Sequence, residues 1–156
     1  MSRRRPAVKR EIAPDPKFGN KDLASFINRV MYGGKKSVAQ RAVYQAFDLI
    51  QEQTNRDPLE IFDQAMRNAT PTVEVKPRRV GGATYQVPIE VAPNRRMALA
   101  MRWLIRGARA RTGQPMRSRL AAELLDASRG QGSAVRRREE LYKVAEANRA
   151  FVHYKW

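Results

Sequence analysis

The sequence predicts a mainly α protein, a single domain of about six helices with a protruding two-stranded β-hairpin and a basic N-terminal arm. Three observations carry that prediction. Apolar residues recur with helical spacing from Asn20 to Ala69 and again from Asn94 to Ala145. Between those stretches the period changes to two, around a glycine pair. Before Phe18 the chain is dominated by basic residues and prolines, with almost nothing to bury.

The arm comprises residues 1–17 and holds Arg3, Arg4, Arg5, Lys9 and Arg10 with three prolines. It reads as flexible, either a merely soluble terminus or a segment that orders on a polyanion. A helical domain over 18–150 follows. Its first helix aligns Leu23, Phe26, Ile27, Val30 and Met31 on one face and stops at Gly33-Gly34. Ser37 is a candidate cap for the second, whose stripe is Val38, Ala39, Ala42, Val43, Ala46, Phe47 and Ile50. Asp57-Pro58-Leu59-Glu60 starts the third with a capping carboxylate, proline at the first helical position and glutamate three residues after the cap. Leu59, Phe62, Ala65, Met66 and Ala69 form its buried side, and Pro71 ends it. From Gln40 to Glu74 six acids outnumber three arginines, so this part is expected to face away from any polyanion.

Residues 73–91 read as the hairpin, with Gly81-Gly82 at its turn. An odd-length loop, such as Gly81 to Ala83, gathers Val73, Val75, Val87 and Ile89 on one side. A two-residue loop would set Val75 opposite Pro88 and mix the faces. Pro77 and Pro88 exclude a central place in a large sheet, so the ribbon stands alone with Arg78 and Arg79 near its tip. A fourth helix is expected from about Asn94, its candidate cap, to Arg109. The fifth carries Met116, Leu120, Ala121, Leu124 and Leu125 inward. The sixth is capped by Ser133 with Leu141, Val144 and Ala145 inward, and residues 151–156 form an aromatic and basic tail.

The chain has 31 Lys and Arg against 15 Asp and Glu over 156 residues, a formal charge of +16. With no cysteine, disulfides and thiolate metal sites are excluded, and a reducing cytosolic compartment is compatible. No apolar run reaches the roughly 18 residues of a membrane span, and the N-terminus is not a secretory signal. The lone histidine, His153, has no cysteine or close acid pair to work with. The glycine pairs lack phosphate-loop spacing. No catalytic residue, metal site, cofactor or small-molecule substrate is expected.

Between Glu90 and Glu123 stand eight arginines (Arg95, Arg96, Arg102, Arg106, Arg109, Arg111, Arg117, Arg119) and no acid. Guanidinium groups left together repel one another unless something anionic compensates, and their planar forks suit phosphate. At roughly 100° per residue, Arg95, Arg102, Arg106 and Arg109 fall within about 60° on the fourth helix, opposite Met97, Ala100, Met101, Leu104 and Ala108. Arg95 and Arg96, and Arg136 to Arg138, lie in first turns, where cations oppose the helix dipole but phosphate would reverse the sign. In the sixth helix Glu139 can reach Lys143 and Arg136 can reach Glu140, which partly neutralises the cluster. Tyr85, Trp103, Tyr154 and Trp156 lie among the charges. Trp103 reads as core, and Trp156 as exposed to RNA or a neighbouring protein.

Pro77 to Pro88, Asn28 to Ser37, Arg95 to Leu104 and Ala145 to Trp156 together resemble the family of the seventh protein of the small ribosomal subunit, bacterial type, in order along nearly the whole chain. The chain departs from the pattern at Gly33, where the family is expected to carry an acidic residue before Gly-Lys-Lys. The resemblance implies a cytoplasmic ribosomal protein that binds the 3′ major domain of small-subunit ribosomal RNA early and organises the head. It implies that ribbon and tail lie near exit-site transfer RNA and messenger, beside head and platform proteins. Some members also repress their own operon. Carried over, the RNA-facing set is Arg3, Arg4, Arg5, Lys9, Arg10, Lys35, Lys36, Lys76, Arg78, Arg79, the eight arginines above, Arg136, Arg137 and Arg138. Arg78, Arg79, Gly81, Gly82, Tyr85, Tyr154 and Trp156 lie toward transfer RNA and messenger. The residues alone leave three alternatives: an architectural DNA-binding protein with its ribbon in the minor groove, a protein-interaction module whose charge is incidental, and attachment to an anionic membrane surface.

Overall fold

A computed structural model describes residues 10–154. Arg3, Arg4, Arg5, Lys9 and Trp156 fall outside the described residues. The elements run α1 (Lys21–Val30), α2 (Lys36–Thr54), α3 (Pro58–Ala69), β1 (Val73–Val80), β2 (Ala83–Glu90), α4 (Pro93–Ala110), α5 (Met116–Ser128), α6 (Gly132–Ala147) and a 3-10 turn (Arg149–Tyr154). The mainly α domain with a two-stranded antiparallel ribbon is as predicted.

Local chemistry explains most boundaries. Asn20 Oδ1 accepts from the Asp22 and Leu23 amides at 2.8 and 3.0 Å, satisfying two donors at the start of α1. Asp57 caps α3 through the Leu59 amide at 2.9 Å, with Pro58 in the first turn. Glu60 pairs outward with Arg56 at 3.7 Å. Other caps differ from expectation. Helix α2 begins at Lys36 without a side-chain cap, so Ser37 is already helical. Helix α4 begins at Pro93, whose fixed φ suits the first turn and places Asn94 inside it. Helix α6 begins at Gly132, and Ser133 is engaged elsewhere.

Helix α5 is the hub, packed against α2, α3, α4 and α6. Its Leu120 and Leu124 are fully buried in the same core cluster as Leu104, Phe47 and Phe62. Edge-on contacts join Phe26 to Phe62 at 5.3 Å and Phe18 to Phe47 at the same centroid distance. Two expected core positions are exposed: Val38 at the edge of α2, and Val144, which yields the inner face of α6 to Ala134, Val135 and Ala145. The end of the arm is anchored, because Asp15 is buried and accepts from the Lys17 and Phe18 amides and the Tyr44 hydroxyl.

The hairpin register departs from the odd-loop expectation. Val80 pairs with Ala83 and Val75 with Pro88, so the loop is Gly81-Gly82 alone. Both glycines take positive φ, +58° and +87°, as a type I′ turn matched to strand twist requires. The mixed faces that argued against this register are accommodated. Glu74 shares a face with Val87 and Ile89, and it is buried because Arg95 neutralises it. The tail also gains structure, since the turn at Arg149–Tyr154 packs on β2 with Phe151 4.9 Å from Tyr85.

Candidate nucleic-acid interface

Helix α4 turns Leu104, Ile105 and Ala108 into the core and leaves Arg102, Arg106 and Arg109 outward. Helix α1 ends against it. Arg109 Nη2 donates to the Val30 carbonyl at 3.2 Å, occupying an acceptor that the end of α1 would leave unpaired. This grip brings in Arg29, which joins Arg102, Arg106 and Arg109 around a groove of about 410 Å³ floored by Ile105. The lining contains no acid. Arg102 and Arg106 have no hydrogen bond or ion pair to any described residue. Arg29 and Arg109 lie in the last turns of their helices, where the dipole favours cations and offsets part of their repulsion.

Sequence reading missed Arg29. The α1–α4 contact that delivers it is tertiary, and the only local signal is its place opposite the α1 core stripe, within Asn28 to Ser37.

The other arginines divide. Arg95 is not part of the basin: its Nε donates to both Glu74 oxygens at 2.8 and 3.0 Å, tying α4 to the root of the ribbon. Lys76 stands 3.5 Å from the same carboxylate. Arg96 donates to Glu90 at 2.8 Å and to the Val91 carbonyl at 2.7 Å. Arg111 binds both Glu123 and Asp126. Burial opposes its charge, but these hydrogen bonds outweigh burial and raise its pKa above the ordinary arginine value. Arg119 donates to the Arg111 carbonyl at 2.9 Å and so closes the end of α4. Arg117 is exposed, 3.5 Å from Gln45. The expectation of eight unpaired guanidiniums is corrected accordingly, because carboxylates outside the acid-free stretch reach three of them.

The start of α6 is corrected too. Glu123, 1% exposed, accepts from the Ala134 amide at 3.1 Å, Ser133 Oγ at 2.8 Å and Arg111 Nη2 at 2.9 Å. The anion position at that helix end is held by the protein's own carboxylate. Arg137 pairs with Glu140 at 3.0 Å, in place of the expected Arg136–Glu140 pair. Arg138 lies over the Tyr142 ring at 5.8 Å, and Arg136 is exposed.

Arg10, Lys35, Lys36, Arg78, Arg79, Gly81 and Gly82 are exposed. Tyr85 is half-buried against Phe151, the Tyr154 side chain is outside the described set, and Trp103 packs half-buried on the core.

Helical body, two-stranded ribbon rooted on α4 and α6 and acid-free arginine basin define a scaffold suited to a polyanion on one flank. Comparison with known proteins makes this specific. The family model described as ribosomal protein S7p/S5e matches residues 2–149. Proteins named small ribosomal subunit protein uS7 are 60% identical in Teredinibacter turnerae and Rhodopseudomonas palustris and 58% in Dehalococcoides mccartyi, over 100% of both chains. The chain belongs to the ribosomal protein S7p/S5e family. It is a structural, RNA-binding protein and not an enzyme.

Proposed function

We propose that this chain is a structural constituent of the small ribosomal subunit that seats the Arg29, Arg102, Arg106 and Arg109 basin on phosphates of the 3′ major domain of ribosomal RNA. The basin carries this reading: four guanidiniums converge where no carboxylate lines the groove. Phosphate contacts position the protein, and shape, 2′-hydroxyls and unpaired bases then select an RNA junction. Arg10, Lys35, Lys36 and Arg117 are exposed, and we assign them to the same RNA contact together with the arm residues Arg3, Arg4, Arg5 and Lys9.

Docked this way, the protein organises the head beside neighbouring head and platform proteins in the cytoplasmic ribosome. Arg78, Arg79 and the glycine tip, braced by the Tyr85–Phe151 contact, project with the tail toward exit-site transfer RNA and messenger. Through the same basin the protein can hold the messenger of its own operon.

Co-sedimentation with small subunits after a high-salt wash tests the assignment. The intact chain is expected to stay bound, and Arg102→Glu with Arg106→Glu to be released while keeping its helicity. Retention of the double variant would overturn the basin as docking surface. In competition, preference for kinked duplex DNA over junction RNA would replace this reading with an architectural DNA-binding one.

A further inference from the structure

Tyr32 lies just beyond α1 and is 85% exposed, the most exposed large hydrophobic residue described. Val38, the next, stands at 59%. The fold does not use the ring, since the Tyr32 side chain has no hydrogen bond or ring contact to any described residue. Yet its backbone is held. Met31 turns out of the helix at φ −56°, ψ 138°, with its amide still on the Ile27 carbonyl at 3.0 Å. The Tyr32 carbonyl accepts from the Lys35 amide at 3.3 Å, and the Lys36 amide reaches the Gly34 carbonyl at 2.9 Å. Gly33 and Gly34 close the turn at positive φ.

The surroundings are cationic. Between Asp22 and Asp48 the chain holds Arg29, Lys35, Lys36 and Arg41 and no acid. Arg29, three residues before Tyr32, is a wall of the basin. An exposed aromatic on a pinned turn, bracketed by cations, matches a base with its phosphates: the ring takes the π-face and the cations take the charge. Pinning also lowers the ordering cost of binding.

We propose that Tyr32 is a stacking platform for an unpaired nucleobase of the RNA whose phosphates occupy the basin. This rests on the docking reading above and adds to it a base contact that the arginines do not supply.

The test uses the full chain and a small-subunit ribosomal RNA junction fragment, with affinity measured from 50 to 200 mM salt. Tyr32→Ser is expected to weaken binding roughly 5- to 150-fold, with an unchanged salt slope because no charge is lost. Tyr32→Phe, which keeps the ring, should bind within about twofold of the parent. Circular dichroism should show both variants folded, as expected for a residue outside the core. Parental affinity for Tyr32→Ser would overturn the proposal, as would equal weakness of Ser and Phe variants, which would assign the effect to the hydroxyl. Parental RNA affinity combined with poor incorporation into subunits would mark a protein contact and overturn it too. Failure of the docking reading is distinct: the parent itself would then show no salt-dependent binding, and both proposals would fall.

Discussion

Arg95 holds Glu74 in a forked contact at 2.8 and 3.0 Å, clamping the first turn of α4 to the root of the ribbon. Glu74 is 8% exposed, so the pair solves a problem that the hairpin register creates, namely an acid on the buried face beside Val87 and Ile89. Arg95→Ala should therefore act on stability. Leaving the carboxylate with Lys76 alone is expected to cost about 1–3 kcal/mol, read as a lower denaturation midpoint, with the salt dependence of RNA binding unchanged.

A second clamp involves Gly107. A Cβ there would collide with Ser133 Oγ and lie 2.5 Å from Glu123 Oε1. Gly107→Ala must push α6 away or break the bonds that Glu123 makes to Arg111, Ser133 and Ala134. Destabilisation of about 1–3 kcal/mol is expected, seen in calorimetry as a melting temperature lower by about 2–4 °C per kcal/mol. Glu123→Ala should be at least as damaging, because it strips partners from several donors at once.

The anchored end of the arm has an alkaline signature. Burial, followed by the hydrogen bond and charge of Asp15, raises the Tyr44 pKa above its ordinary 10.0. The folded state holds that proton more tightly than the unfolded chain. Its stabilisation is complete below the ordinary value and is lost as pH rises through the raised folded one. Tyr44→Phe should remove this alkaline component from a stability–pH profile. At neutral pH it should cost about 1.5–3 kcal/mol, because the missing hydrogen bond is one to the buried Asp15 carboxylate.

What the residues reveal in advance depends on the range of the interaction. The helices, the Asp57 cap and the ribbon were legible because spacing and capping act within a few positions. The hairpin register was not. Hydrophobic segregation favoured an odd loop, whereas the structure follows the glycine pair and relies on Arg95, distant in sequence, to neutralise Glu74. The arginine stripe was half legible for the same reason. Helical angle placed Arg102, Arg106 and Arg109 together, but only tertiary packing adds Arg29 and assigns Arg95, Arg96 and Arg111 to carboxylates.

The ribbon tip contributes nothing to the core: Gly81 to Thr84 are exposed. Deleting Val80 to Ala83 should leave incorporation into subunits nearly intact and disturb exit-site transfer RNA binding. Failure of the shortened protein to enter subunits would show that the tip also serves assembly.

The division of labour among the arginines is tested most directly by the slope of log affinity against log salt for junction RNA. Arg102→Gln with Arg106→Gln should lower its magnitude by about two, one counterion for each lost phosphate contact. Arg95→Gln with Arg96→Gln should leave it unchanged. An unchanged slope in the first pair, or an equal drop in the second, would contradict the assignment of the basin to RNA and of the ribbon-side arginines to the fold.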